Sequence, residues 1–181
     1  MTTHALEVLE FERVLERVAR HASSEAGRSH IRSLRPSSEA QWIRRELRRV
    51  RAVRDLIEAS ENWALGPIPD VGDEVAQLAV DGVVLEPEVV HRIGVLLATS
   101  RSLQRLLWAD SGELHFVAER LMSEPELERE IERCVDDQGA VLDTASKELG
   151  RIRGKLRGAH ARVVRKLEVF LGSVEIGRAH V

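Results

Sequence analysis

The sequence predicts an all-α protein: a helical core followed by one long, projecting helix, with at most one short β-like segment near residues 140–142. Three observations predict it. Apolar residues recur at three- and four-residue steps along most of the chain, the period of a helix advancing about 100° per residue. Hydrophobic residues at 43% and charged residues at 31% are the balance of an ordinary helix-rich soluble protein. The stretch after Ser146 carries one apolar stripe, unbroken by proline, for some seven helical turns.

From the start, Leu6, Leu9, Val14, Leu15, Val18 and Ala22 fall at helical spacing, with a break expected near Glu10-Phe11. Ser23-Ser24 can cap a short helix carrying Ile31 and Leu34 that Pro36 stops. Ser38 and Gln41 form a capping-box pattern ahead of a third helix reaching about Ser60. Its apolar face is Trp42, Ile43, Leu47, Val50, Val53 and Ile57, expected in the core, and Arg44, Arg45, Arg48, Arg49 and Arg51 form the other face. Gly66-Pro67-Ile68-Pro69 closes a loop beginning at Glu61. Asp70 is placed to cap a short helix ending by Gly82. Pro87 suits a first helical position and opens a helix through Ile93, Leu96, Leu97, Leu103 and Leu107, broken at Asp110-Ser111-Gly112. One or two acidic helices around Pro125 follow.

Asp136-Asp137-Gln138-Gly139 is a turn in which Gly139 can supply a positive φ. Ala140-Val141-Leu142 is long enough only for an edge strand or an extended packing segment. Asp143, Thr144 and Ser146 offer oxygens to the free N–H groups of a helix start. Beyond them Leu149, Ile152, Leu156, Ala159, Val163, Leu167 and Phe170 draw the stripe, with Arg151, Lys155, Arg162 and Lys166 placed on the opposite side. The predicted divisions are a core over 1–145, the long helix from 146 to 174, and a terminal piece over 175–181.

Charge is unevenly placed. Glu113–Asp137 holds nine acidic and three basic residues, whereas Lys147–Leu171 holds eight basic and two acidic, a net of +6. Neutralisation of one by the other inside the molecule is the expected use. Of the two basic faces, that of Arg44–Arg54 reads as a solvated face. On the longer helix, Arg151, Lys155, Arg162, Arg165 and Lys166 are candidate phosphate-binding residues. Aromatic residues at 3%, with no tyrosine, argue against a stacking surface for single strands.

Cys134 is the sole cysteine, which excludes an internal disulfide and favours a reducing, cytoplasmic setting. No apolar run approaches a membrane span, and the seven histidines show no metal-ligand spacing. No catalytic residue, metal ligand or cofactor site is expected. Gly150-Arg151-Ile152-Arg153-Gly154-Lys155 imitates a phosphate-binding loop but has one residue too few between the glycines and no following Ser or Thr. Gly150, Gly154 and Gly158 recur on one helix face, through close packing or compositional drift.

Four stretches resemble the amino-terminal part of a MutS-family ATPase: Leu6 to Phe11, Gly66 to Val71, Gly82 to Leu85, and Gly139 to Ser146 with Arg151-Ile152-Arg153. The similarity is greatest to the bacterial paralogue that lacks a mismatch-reading domain and carries a carboxy-terminal Smr nuclease domain. The resemblance implies that Asp143, Ala145, Ser146, Ile152 and Arg153 are structural motif residues where the core feeds a lever helix. It implies a parent that uses ATP and Mg²⁺, is a homodimer, and acts on branched or duplex DNA in suppressing recombination, or on stalled ribosomes through ribosomal RNA. This segment would couple the ATPase to a DNA-embracing clamp. The alternative is a free-standing helical adaptor pairing through the Ile152–Phe170 stripe. Residues 175–181 leave the helical pattern and can be encoded by a sequence resembling a library adapter, so they are expected not to be native.

Overall fold

The computed structural model describes residues 3–59, 65–109 and 112–178. Among them the chain is all-α, with no strand. The first three helices, α1 (Thr3–Val8), α2 (Phe11–Ala19) and α3 (Glu25–Ser33), pack together. The break expected near Glu10 is there: Glu10 takes a left-handed φ of 50°, and its carboxylate receives the Arg13 guanidinium at 2.6 and 2.7 Å. Leu15 and Ala19 are buried, while Val14 and Val18 on the neighbouring flank of α2 are not. Ser24 caps α3, its Oγ accepting the Gly27 N–H at 3.0 Å. Arg32 ties α3 to Glu16 of α2 at 3.0 Å.

Helix α4 (Ala40–Ala59) departs from expectation twice. Ser37, not Ser38, accepts a backbone N–H, that of Glu39 at 3.2 Å. More consequentially, the predicted apolar face is not core. Ala52 and Leu56 pack inward, and Arg49 lies 4.0 Å from the centroid of the Phe116 ring. Leu47, Val50, Val53 and Ile57 stay exposed, and no residue of α4 is buried. Periodicity locates an apolar face but says nothing about what covers it.

Asp70 is not the cap expected of it: Val71 is the N-cap of α5 (Gly72–Gln77) and Asp70, one residue earlier, only accepts the Gly72 N–H at 3.4 Å; α5 stops short of Gly82, which closes a turn at φ 84°. The Gly66–Val71 stretch runs against α6 (Pro87–Ala109), where Thr99 donates to the Pro67 carbonyl at 3.0 Å. Helix α6 is the axis of the core. Helices α7 (His115–Ala118) and α8 (Pro125–Cys134) pack on it. Leu107, Leu114 and Ala118 form the buried cluster, joined by Leu103, Val117 and Leu121. The Gln104 amide donates to the carbonyls of Ala118 and Leu121, satisfying the end of α7. Glu128 of α8 is buried and receives Arg101 of α6 at 2.9 Å.

Helix α9 (Lys147–Arg178) leaves the core. Its helical backbone continues to Arg178, past the pattern change at Glu175, and residues 179–181 lie outside the described part. The chain exposes 14392 Å². A compact monomer of this mass exposes about 8,800 Å². Exposed apolar residues on α4 and along α9 contribute to the difference.

Candidate nucleic-acid interface and its base

The base of α9 is built by the turn that follows α8. Val135 and Val141 form an antiparallel bridge, with Asp136 N–H donating to the Ala140 carbonyl at 3.0 Å and Leu142 N–H to the Cys134 carbonyl at 2.9 Å. This is the β-like segment the sequence allowed. Asp136 Oδ1 accepts the N–H groups of Gln138 and Ala140 at 2.9 and 2.8 Å, and Gly139 completes the turn at φ 76°. A Cβ on Gly139 would stand 2.9 Å from Glu88 Cα, so the turn lies flat against the start of α6.

A single 3-10 turn, Asp143–Ala145, then redirects the chain. Arg133 of α8 donates to the carbonyls of Thr144 and Ala145, and Thr144 Oγ1 donates back to the Arg133 carbonyl at 2.6 Å. Ser146 Oγ accepts the Leu149 N–H at 3.0 Å and caps α9. Arg153 reaches back to the Val141 carbonyl at 2.6 Å and Asp143 Oδ1 at 3.1 Å, while Arg157 meets Asp143 Oδ2 at 2.9 Å. Hydrogen bonds from Arg157 and then Arg153 hold the Asp143 carboxyl below its ordinary range, against a smaller opposing effect of desolvation. One carboxylate thereby fastens two successive turns of α9. Gly150 fits beneath it, since a Cβ there would lie 3.0 Å from the Asp143 carbonyl oxygen.

Of the motif residues, Asp143, Ala145, Ser146 and Arg153 meet at this base. Ile152 does not; it is 50% exposed and lies on another side of the helix. Arg133 and Arg157 were missed. Arg157 carried a faint signal, four residues beyond Arg153 on the same face; Arg133 carried none. The glycine repeat divides: Gly150 is closely packed, Gly154 has nothing near it, and Gly158 meets only the end of the Arg162 side chain.

The five predicted basic residues all lie on the exposed part of α9. Arg151 approaches Glu148 at 3.7 Å. Among the described residues no carboxylate pairs with Lys155, Arg162, Arg165 or Lys166. At about 100° per residue Arg151, Lys155, Arg162 and Lys166 run roughly a quarter-turn from the apolar stripe, beside it and not opposite to it. The expected internal neutralisation is not made. Glu113, Glu128 and Glu130 pair with Arg48, Arg101 and Arg133, and none of them with α9. These three carboxylates are held by core arginines, and the α9 face keeps its charge.

The loop-like Gly150–Lys155 stretch is continuous helix, so its N–H groups are committed to the helix and cannot wrap a phosphate. These residues do not fit a nucleotide. Among the described residues no group of three or more His, Cys, Asp or Glu side chains could hold a metal ion, and no helix is long and apolar enough to cross a membrane.

This chain belongs to the MutS family. Its relatives there are the proteins named endonuclease MutS2. That of Gemmatimonas aurantiaca is 35% identical over 181 residues, covering 97% of this chain and 22% of the relative. That of Geobacillus kaustophilus is 32% identical over 179 residues, and the putative endonuclease MutS2 of Bacillus subtilis is 33% identical over 179; each match covers 96% of this chain and 23% of the relative. The chain thus spans under a quarter of the length of the curated relatives it matches. No protein-family model matches it.

Proposed function

We propose that this segment is the base and first part of a lever in a nucleic-acid-handling MutS2-type protein. It would carry movement between an ATP-hydrolysing part and a clamp that holds branched or duplex DNA, or ribosomal RNA. The supporting observation is the pairing of a fastened base with an unneutralised basic face farther along the same helix. Asp143, Arg153 and Arg157 fix where α9 starts, while Lys155 beside them and Arg162, Arg165 and Lys166 beyond stand exposed. ATP, Mg²⁺, dimerisation and the nuclease activity named for the relatives would reside in the remaining polypeptide, in the cytoplasm.

The test replaces Lys155, Arg162 and Lys166 with Glu in the full-length polypeptide and measures binding to a four-way DNA junction across salt concentrations. The slope of log affinity against log salt should shrink by about 0.9 for each phosphate that these side chains cease to neutralise. An unchanged slope and affinity refutes the interface. The segment by itself, incubated with ATP and Mg²⁺, should show no turnover above a blank, and turnover would overturn the division of labour.

The adaptor reading retains one supporting observation, the exposure of Leu156, Val163 and Leu167 along α9. A concentration-dependent dimer insensitive to salt would favour it over the nucleic-acid reading.

A further inference from the structure

The basic residues of α9 are not evenly strung along it. Arg162, Arg165 and Lys166 line one groove of about 300 Å³, with Val169 as its apolar wall. At about 100° per residue these four positions fall within about 100° of one another, on a single face of the helix. Lys155 lies outside the groove, about 10 Å back along the axis from Arg162. Among the described residues none of the three cations is in an ion pair; Glu168, the nearest carboxylate in sequence, forms none with Arg165.

We infer that this groove seats the terminal phosphate of a nucleic-acid strand, a phosphate monoester, and is the anchor point of the α9 interface. The inference rests on the nucleic-acid reading of α9 and adds which residues act together and on what group. Charge and valence choose the ligand. An internal phosphodiester carries one negative charge and two free oxygens, so cations spread along a row suit a strand better than three gathered in one groove. A monoester near neutral pH carries about two negative charges and three free oxygens, one for each of the three cations. Arginine and lysine bind such oxygens through charge-assisted hydrogen bonds. A carboxylate, with one charge and two oxygens, leaves a cation over as a phosphodiester does. An apolar partner helix is opposed, because covering the groove would take three unpaired cations out of water.

Two duplexes of one sequence test it, one with 5′-phosphate ends and one with 5′-hydroxyl ends, each bound by the full-length polypeptide at the same salt concentration. The phosphorylated duplex should bind about tenfold tighter, the contribution of about one charge-assisted hydrogen bond. Replacing Arg162, Arg165 and Lys166 together with Gln should abolish that preference. Lys155→Gln should weaken both duplexes alike and leave their ratio unchanged. All four side chains are exposed, so the replacements disturb no packing. Equal affinity of the parent for the two duplexes would overturn the inference. A preference that survives the triple replacement would also overturn it, by placing the seat elsewhere, and so would one that Lys155→Gln removes equally, by spreading it over the whole row. The nucleic-acid reading fails separately: if the two duplexes bind alike while the triple replacement still flattens the salt dependence, that reading stands and only the terminal-phosphate seat is lost.

Discussion

Replacing Gly139 with alanine tests the account of how the α9 base is set. Gly139 sits at φ 76°, where a side chain costs about 1–2 kcal/mol. An added Cβ would also come within 2.9 Å of Glu88 Cα, a backbone atom near the first turn of α6 that cannot swing aside as a side-chain tip would. Forcing extra volume into such a contact costs about 1–3 kcal/mol, so Gly139→Ala should destabilise by about 2–5 kcal/mol in all. For a chain of this length the midpoint of thermal unfolding should fall by about 4–20 °C. Circular dichroism of the purified segment, with reversibility checked on cooling, measures it. The matched control is Gly154→Ala, where nothing lies within 4 Å and the residue is inside a helix. That change should add about 1 kcal/mol of helix propensity. It should register as slower amide exchange along α9, with little change in the unfolding midpoint, because α9 beyond its base is not packed on the core. A fall of less than about 2 °C for Gly139→Ala would refute the claim that this turn is pressed against α6.

Other perturbations follow from the same contacts. Asp143→Asn should loosen α9, seen as faster exchange of amides between Lys147 and Arg157 with the core unaffected. The sign of its pH dependence follows from the lowered carboxyl: the folded form binds a proton less readily than the unfolded one, whose pKa is about 3.9. The fastening is therefore fully present above the ordinary Asp range and is lost as pH falls through the lower folded value; protection of these amides, corrected for the intrinsic exchange rate, that declines as pH drops below the ordinary Asp range in the parent, but not in Asp143→Asn, would show it. Leu107→Ala, at the centre of the buried cluster, should cost about 2–5 kcal/mol by urea titration, and a loss under about 1 kcal/mol would mean that the cluster is not the core.

Much of the fold was legible because helix periodicity, caps and breakers act locally. Ser24 and Pro87 each do what their neighbours in sequence imply, and Glu10 breaks the first helix where the apolar pattern slips. What was not legible depends on contacts across many residues. Asp143 could be seen as an acceptor for a helix cap, but its use as a fastener for Arg153 and Arg157 needs the 3-10 turn to bring it alongside α9. Arg133 belongs to the same base and looks in sequence like any surface arginine. The apolar face of α4 was misplaced because periodicity marks which residues share a face and carries no information about what packs on it. The charge imbalance between Glu113–Asp137 and α9 was read as internal pairing because one-dimensional proximity resembles contact. In three dimensions Glu113, Glu128 and Glu130 pair with Arg48, Arg101 and Arg133, and none of the three reaches α9.

The spacing of the two arginines on Asp143 has a geometric consequence. Arg153 and Arg157 are four residues apart, about 6 Å along the axis, and the helix runs a further 21 residues, about 31 Å, to Arg178. A shift of about 1 Å of one contact relative to the other tilts the axis by about 10°, which swings the far end by about 5 Å, one helical pitch. The base therefore works as the short arm of a balance. Adjustments no larger than the stretch of a hydrogen bond are returned, at the distant end, as displacements on the scale of a whole side chain.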